Sequence, residues 1–146
     1  KSFIAITEQE GGKLVQGGKI HSDLGSGWYI EPTIFDNVTA DMTLFQQEVF
    51  GPILAVTTFT SDEEAVALAN NSSYGLAASL YTESLKRAQR VSRAIRAGTV
   101  SINGFSEGDI TTPFGGFKQS GFGGRDKGLE ALQQYVQTKT IWYVQD

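Results

Sequence analysis

The chain has no cysteine, one histidine (His21), one methionine (Met42), three prolines and no excess of basic charge. Without cysteine, these 146 residues hold no disulfide framework, no thiolate metal site and no thiol nucleophile. A single histidine argues against a histidine-built metal cluster. Lying in a turn-rich stretch, His21 is expected to be simply exposed. A net charge of −4 argues against a dedicated nucleic-acid binder, which needs basic side chains to neutralise phosphates. No apolar run approaches the length that spans a bilayer, and no basic-then-apolar leader opens the sequence. The expectation is a soluble, cytoplasmic protein with no membrane partner. The sequence opens on Lys1 rather than methionine, as a processed, clipped or excerpted chain would.

What is present suffices for a core. With 40% hydrophobic and 19% charged residues, the chain suits one domain or a large piece of one. KSFIAITEQE reads as the end of a helix stopped by Gly11-Gly12, and KLVQGG as a short strand closing in a turn. YIEPTIFDNV is rich in β-branched and aromatic residues and should be extended, although Pro32 argues against a central place in a sheet. A short helical piece is expected around Leu44–Glu48. PILAVTTF (52–59) is a nearly continuous apolar run, as in a strand buried on both faces of a parallel sheet.

Ser61 followed by Glu64 forms a capping box at the start of the helix EEAVALANN. LAASLYT (76–82) reads as a strand. SLKRAQRVSRAIR then places Leu85, Ala88, Val91 and Ile95 on one helical face, closed by Gly98. Its five basic residues suit a solvated opposite face; a polyanion-binding face is the alternative. TVSIN (99–103) completes a β-α-β-α-β order, which implies an α/β fold with a mostly parallel sheet and flanking helices. LEALQQYV reads as a short amphipathic helix, and the terminal TKTIWYV has strong β-propensity.

Residues 104–128 hold eight of the seventeen glycines. Within TPFGGFKQSGFGG, Gly116 and Gly121 have the spacing of a nucleotide phosphate loop, but Phe122-Gly123 follow where Lys-Ser/Thr is needed. The dinucleotide fingerprint fails as well. Phe114, Phe117 and Phe122 are unsuited to a flexible linker. Bulky rings among glycines instead suggest backbone that packs closely while the aromatics form a pocket wall or interface. A second stretch, Glu48-Val49-Phe50-Gly51-Pro52, sets an acid and an aromatic at the entrance to a buried strand.

EVFGP, AGTVSING, PFGGFKQSG and a terminal TKTIW, in that order, resemble the NAD(P)-dependent aldehyde dehydrogenase superfamily over essentially the whole chain. The resemblance is to the C-terminal part of such an enzyme, and most to the bacterial γ-glutamyl-γ-aminobutyraldehyde and guanidinobutyraldehyde dehydrogenases of polyamine breakdown. It implies that residues 1–136 belong to the catalytic domain and 137–146 to an oligomerisation strand, making a homo-oligomer. It gives Glu48 the nicotinamide ribose hydroxyls of NAD or NADP, Phe50 the nicotinamide ring, and Phe114 a wall of the substrate tunnel. A carboxylate is suited to accept two ribose hydroxyls in charge-assisted bonds.

The family's cysteine nucleophile and water-activating glutamate precede the matched segment. This chain should therefore hold cofactor and tunnel residues without the reacting groups, and should turn over nothing alone. SGFGGRD carries one residue more than the commoner SGxGR, which leaves the role of Arg125 open. Glu107 and Asp109 precede Phe114; at a tunnel mouth they would favour aldehydes bearing an amine or guanidinium, and otherwise they are solvated loop acids. NAD and NADP are not distinguished. A non-catalytic, stand-alone fragment that self-associates through Thr138–Val144 is the alternative to an excerpt of a working enzyme.

Overall fold

The computed structural model of the chain describes residues 2–105 and 108–145. They form two compact units, Lys1–Ser72 and Ser73–Asp146. The first contains helix α1 (Ser2–Gln9), strands β1 (Lys13–Gln16), β2 (Ile20–His21), β3 (Tyr29–Ile30) and β4 (Thr33–Asp36), helix α2 (Thr43–Gln46), strand β5 (Ile53–Ala55) and helix α3 (Asp62–Asn70). The second contains strand β6 (Ala77–Leu80), helix α4 (Leu85–Ala94), strand β7 (Thr99–Ile102) and two 3-10 helices, Lys118–Ser120 and Leu129–Tyr135. The architecture is α/β, as the alternation of strands and helices implies.

In the first unit the sheet runs β1-β4-β5, antiparallel between β1 and β4 and parallel between β4 and β5. Phe35 is fully buried and gathers Val38, Met42 and Leu44 into a core, with Phe3, Ile4, Phe45, Val49, Ile53 and Ala55 packed around it. Two expectations are corrected here. Thr33–Asp36 is the central strand despite Pro32, because the proline ends just before the ladder begins and Thr33 supplies the first N–H, bonded to Pro52 O at 2.8 Å. The apolar run 52–59 gives only a three-residue strand, and it is buried on one face. Ile53 and Ala55 meet the core while Leu54, between them, is 56% exposed.

The helix starts follow local chemistry. Ser61 Oγ accepts from Glu64 N at 3.1 Å. The Glu64 carboxylate reaches one residue further back than a capping box requires, accepting from Thr60 N at 2.7 Å and Thr60 Oγ1 at 2.6 Å. Ser84 caps α4 in the same way, accepting from Arg87 N at 3.3 Å. Helix α4 connects β6 to β7, which pair in parallel from Ala77↔Thr99 to Leu80↔Ile102, and buries Ala88 and Val91 of the expected stripe; Leu85 stays exposed.

His21 is not simply exposed. Its Nε2 lies 3.0 Å from Glu31 Oε1 and its Nδ1 3.5 Å from Asp23 Oδ1, in a half-buried position on the β2–β3 ladder. LEALQQYV forms a 3-10 helix rather than an amphipathic α-helix, with Leu129, Leu132 and Tyr135 exposed. It starts after Gly128, at φ 64°, with no side-chain cap. An uncapped seven-residue segment has little to sustain α-helical bonding. Residues 136–145 pair with no strand among the described residues.

Candidate functional site

The expected site residues fall in both units. In the first unit, α2 ends at Gln46 and the chain leaves it in extended conformation at Gln47. Glu48 is exposed, and its carboxylate bonds to none of the described residues. Phe50, two residues on, is 90% exposed and has φ 48°, in the left-handed region. A bulky aromatic there is a backbone outlier, and such strain gathers at ligand sites. Ile53 N then bonds Gly51 O at 2.8 Å and β5 begins. The pair is thus a carboxylate without a partner among the described residues and a presented ring, on a short link between α2 and β5.

In the second unit the glycine loop is folded back on the β6 edge. Phe117 N bonds Gly75 O at 2.8 Å, Gln119 N bonds Ser73 O at 3.0 Å, and Gly75 N bonds Ser120 Oγ at 3.1 Å. The glycines permit this approach. A Cβ on Gly98 would overlap the Gly115 carbonyl, and one on Gly116 would overlap the backbone of Ser120. Phe114 is half-buried on the edge of a cavity of about 200 Å³, lined also by Leu76, Ser120, Phe122 and Gln134. It forms a two-way backbone bridge with Asp126, each N···O distance 2.7 Å. Lys127 Nζ lies 5.2 Å from the centre of its ring.

Arg125, left open by the sequence, donates from Nη1 to Gly124 O at 2.8 Å and lies 5.6 Å from the centre of the Phe117 ring. A larger recess, about 330 Å³, is bordered by Val38, Thr39, Thr57, Glu64 and Leu68, and none of the expected site residues reaches it.

The two loop acids part company. Glu107 lies outside the described residues. Asp109 Oδ1 accepts from Thr111 N at 2.8 Å, from Thr111 Oγ1 at 2.5 Å and, more distantly, from Thr112 Oγ1 at 3.5 Å. The Thr111 hydroxyl, and then its N–H, hold the Asp109 carboxyl below its ordinary value, with smaller contributions from Thr112 and the charge of Lys127. Asp-x-Thr-Thr is a turn signature that would have revealed this arrangement in the sequence. Lys127 and Asp126, which frame Phe114, gave no comparable signal. Among the described residues no group of three or more acidic or histidine side chains is placed to hold a metal ion, and no helix is long and apolar enough to cross a membrane.

The family model described as the aldehyde dehydrogenase family matches residues 1–141. Aminoacetaldehyde dehydrogenase of Pseudomonas aeruginosa is 57% identical over 117 residues, covering 80% of this chain and 24% of that protein. The NADP/NAD-dependent aldehyde dehydrogenase PuuC of Escherichia coli is 48% identical over 141 residues, 97% of this chain and 28% of that protein. The indole-3-acetaldehyde dehydrogenase AldA of P. syringae, solved in complex with NAD+ and IAA, superposes with a TM-score of 0.90 at 48% identity, over 97% of this chain and 28% of that one. The chain thus spans about a quarter of the length of the relatives it matches. With a family match over nearly its whole length and relatives this similar, the chain belongs to the aldehyde dehydrogenase family.

Proposed function

We propose that the chain is the C-terminal part of an enzyme that oxidises an amino- or guanidino-aldehyde to the carboxylic acid with NAD+ or NADP+. Phe50 carries the reading: a fully presented aromatic in left-handed backbone, two residues beyond a carboxylate with no partner among the described residues. Strain of this kind clusters at active sites and ligand clamps. Glu48 fits a ribose, since a carboxylate is an acceptor only and a diol offers two donors. The NAD+ in the AldA complex and the name of PuuC support the choice of cofactor.

When bound, the nicotinamide supplies the hydride acceptor. Glu48 holds the ribose hydroxyls and so fixes the ring's orientation, and Phe50 lies against the ring. Phe114 walls the aldehyde's approach. The nucleophile of this chemistry is a cysteine thiolate, and the chain has no cysteine. That group belongs to the remainder of the enzyme, and this chain alone is inactive. The amino-aldehyde assignment is supported by the aminoacetaldehyde dehydrogenase relative.

Subunits pair through Thr138–Val144, where Ile141, Trp142, Tyr143 and Val144 are all exposed, Trp142 by 85%. An unpaired β-prone segment of this kind is an association site.

The deciding experiment compares the full-length enzyme, its Glu48→Gln variant and the isolated chain for aldehyde-dependent reduction of NAD+ and NADP+. Loss of one charge-assisted acceptor should weaken cofactor binding roughly ten- to a hundredfold. Turnover by the isolated chain, or a Glu48→Gln enzyme with unchanged cofactor affinity, overturns the assignment.

A further inference from the structure

Phe114 is held by its backbone on one side and delivered by a turn on the other. Its N–H and carbonyl are both committed to Asp126, and the neighbouring strand of loop is tied again by Gly128 N to Ile110 O at 2.9 Å. Upstream, the Asp109 carboxylate collects Thr111 N and Oγ1, while the Asp109 carbonyl accepts from Thr112 N at 3.1 Å. The turn ends at Thr112, and only Pro113 separates it from Phe114. Thr112 and Pro113 are both stiff: the proline ring fixes its own φ, and the residue before a proline is confined to extended backbone. The direction set at Asp109 therefore passes to Phe114 with little slack.

We propose that Asp109 is a positioning residue that sets how the Phe114 ring meets the aldehyde, and that it does not select cationic aldehydes by its own charge. The proposal rests on the reading of Phe114 as a tunnel wall. It departs from the simplest electrostatic expectation, in which a loop acid near the tunnel attracts an amine. Asp109 Oδ1 is already engaged by Thr111, and the charge of Lys127 acts on the same carboxylate, so its pull on a cationic substrate is partly offset.

The test uses the full-length enzyme with Asp109→Ala and Asp109→Asn. It measures amide hydrogen exchange of peptides covering 110–117 and 123–128, together with KM and kcat for an ω-amino-aldehyde and a neutral aldehyde of equal length. Asp109→Ala removes both Thr111 bonds and should speed exchange in both peptides at least about tenfold. It should raise KM for both aldehydes by a similar factor, about three- to tenfold, through misplacement of the ring. Asparagine keeps an acceptor oxygen for the Thr111 bonds, so Asp109→Asn should restore slow exchange and keep the preference between the two aldehydes. The proposal is overturned if either Asp109→Ala or Asp109→Asn loses the amino-aldehyde preference, or if Asp109→Ala leaves exchange unchanged. Exchange requires no turnover. A protein that oxidises neither aldehyde would refute the functional assignment while the turn could still be judged.

Discussion

Glu10 holds Thr43 at two points, accepting from its backbone N–H at 2.8 Å and from its hydroxyl at 2.6 Å. Helix α2 has no side-chain cap of its own at Met42, so the carboxylate from beyond α1 supplies one. Glu10→Ala should cost about 1 kcal/mol, the usual loss for a removed N-terminal cap. A lowered denaturant midpoint with an unchanged slope is the expected result. No shift in the midpoint would show that the exposed bond contributes nothing.

Gly98 and Gly104 lie close in sequence and should answer oppositely to alanine. A Cβ on Gly98 meets the Gly115 carbonyl, which is backbone and cannot turn aside, whereas nothing lies within 4 Å of the position on Gly104. Gly98→Ala should destabilise by about 3 kcal/mol, the upper range for overpacking. Gly104→Ala should stay within about 0.5 kcal/mol of the parent. Equal melting temperatures for the two variants would contradict the close approach.

These contrasts mark what the sequence made legible. The cap of α3 was readable because Ser61 and Glu64 act on neighbours within a few residues. The parallel β6-α4-β7 unit was readable from its periodicities. The reach of β5 was not, since an apolar run reports that two faces are apolar and says nothing of what covers each; Leu54 is left uncovered in its unit. The Glu31 partner of His21 depends on the β2–β3 register, which a glycine-serine turn does not specify. EVFGP identified Glu48 and Phe50 as a motif. The left-handed backbone of Phe50 was invisible, because an aromatic is among the residues least suited to it.

Thr60 should make stability depend on acid. Its hydroxyl, followed by its N–H, lowers the Glu64 carboxyl from the ordinary value. A carboxylate depressed in the folded state contributes stability that is present above the unfolded value and is lost as pH falls through the folded one. Thr60→Val removes the hydroxyl and keeps the N–H, so the acid-unfolding midpoint should move to higher pH while stability near neutrality falls slightly. Glu64→Gln should abolish that component of the acid dependence. Superimposable pH–stability curves for Thr60→Val and the parent would rule the coupling out.

Phe50 offers the sharpest separation of stability from function. Its left-handed backbone costs an L-residue about 1–2 kcal/mol, and glycine adopts it freely at an entropic cost of about 0.5–1 kcal/mol. The exposed ring loses almost no packing when it is removed. Phe50→Gly should therefore leave the protein as stable as the parent or more stable by up to about 1 kcal/mol. If the ring lies against the nicotinamide, the same substitution weakens cofactor binding, and calorimetric titration of the full-length enzyme would record a higher Kd. A variant less stable than the parent would show that the ring packs against protein. A variant with parental affinity would mean the strain serves something other than the cofactor.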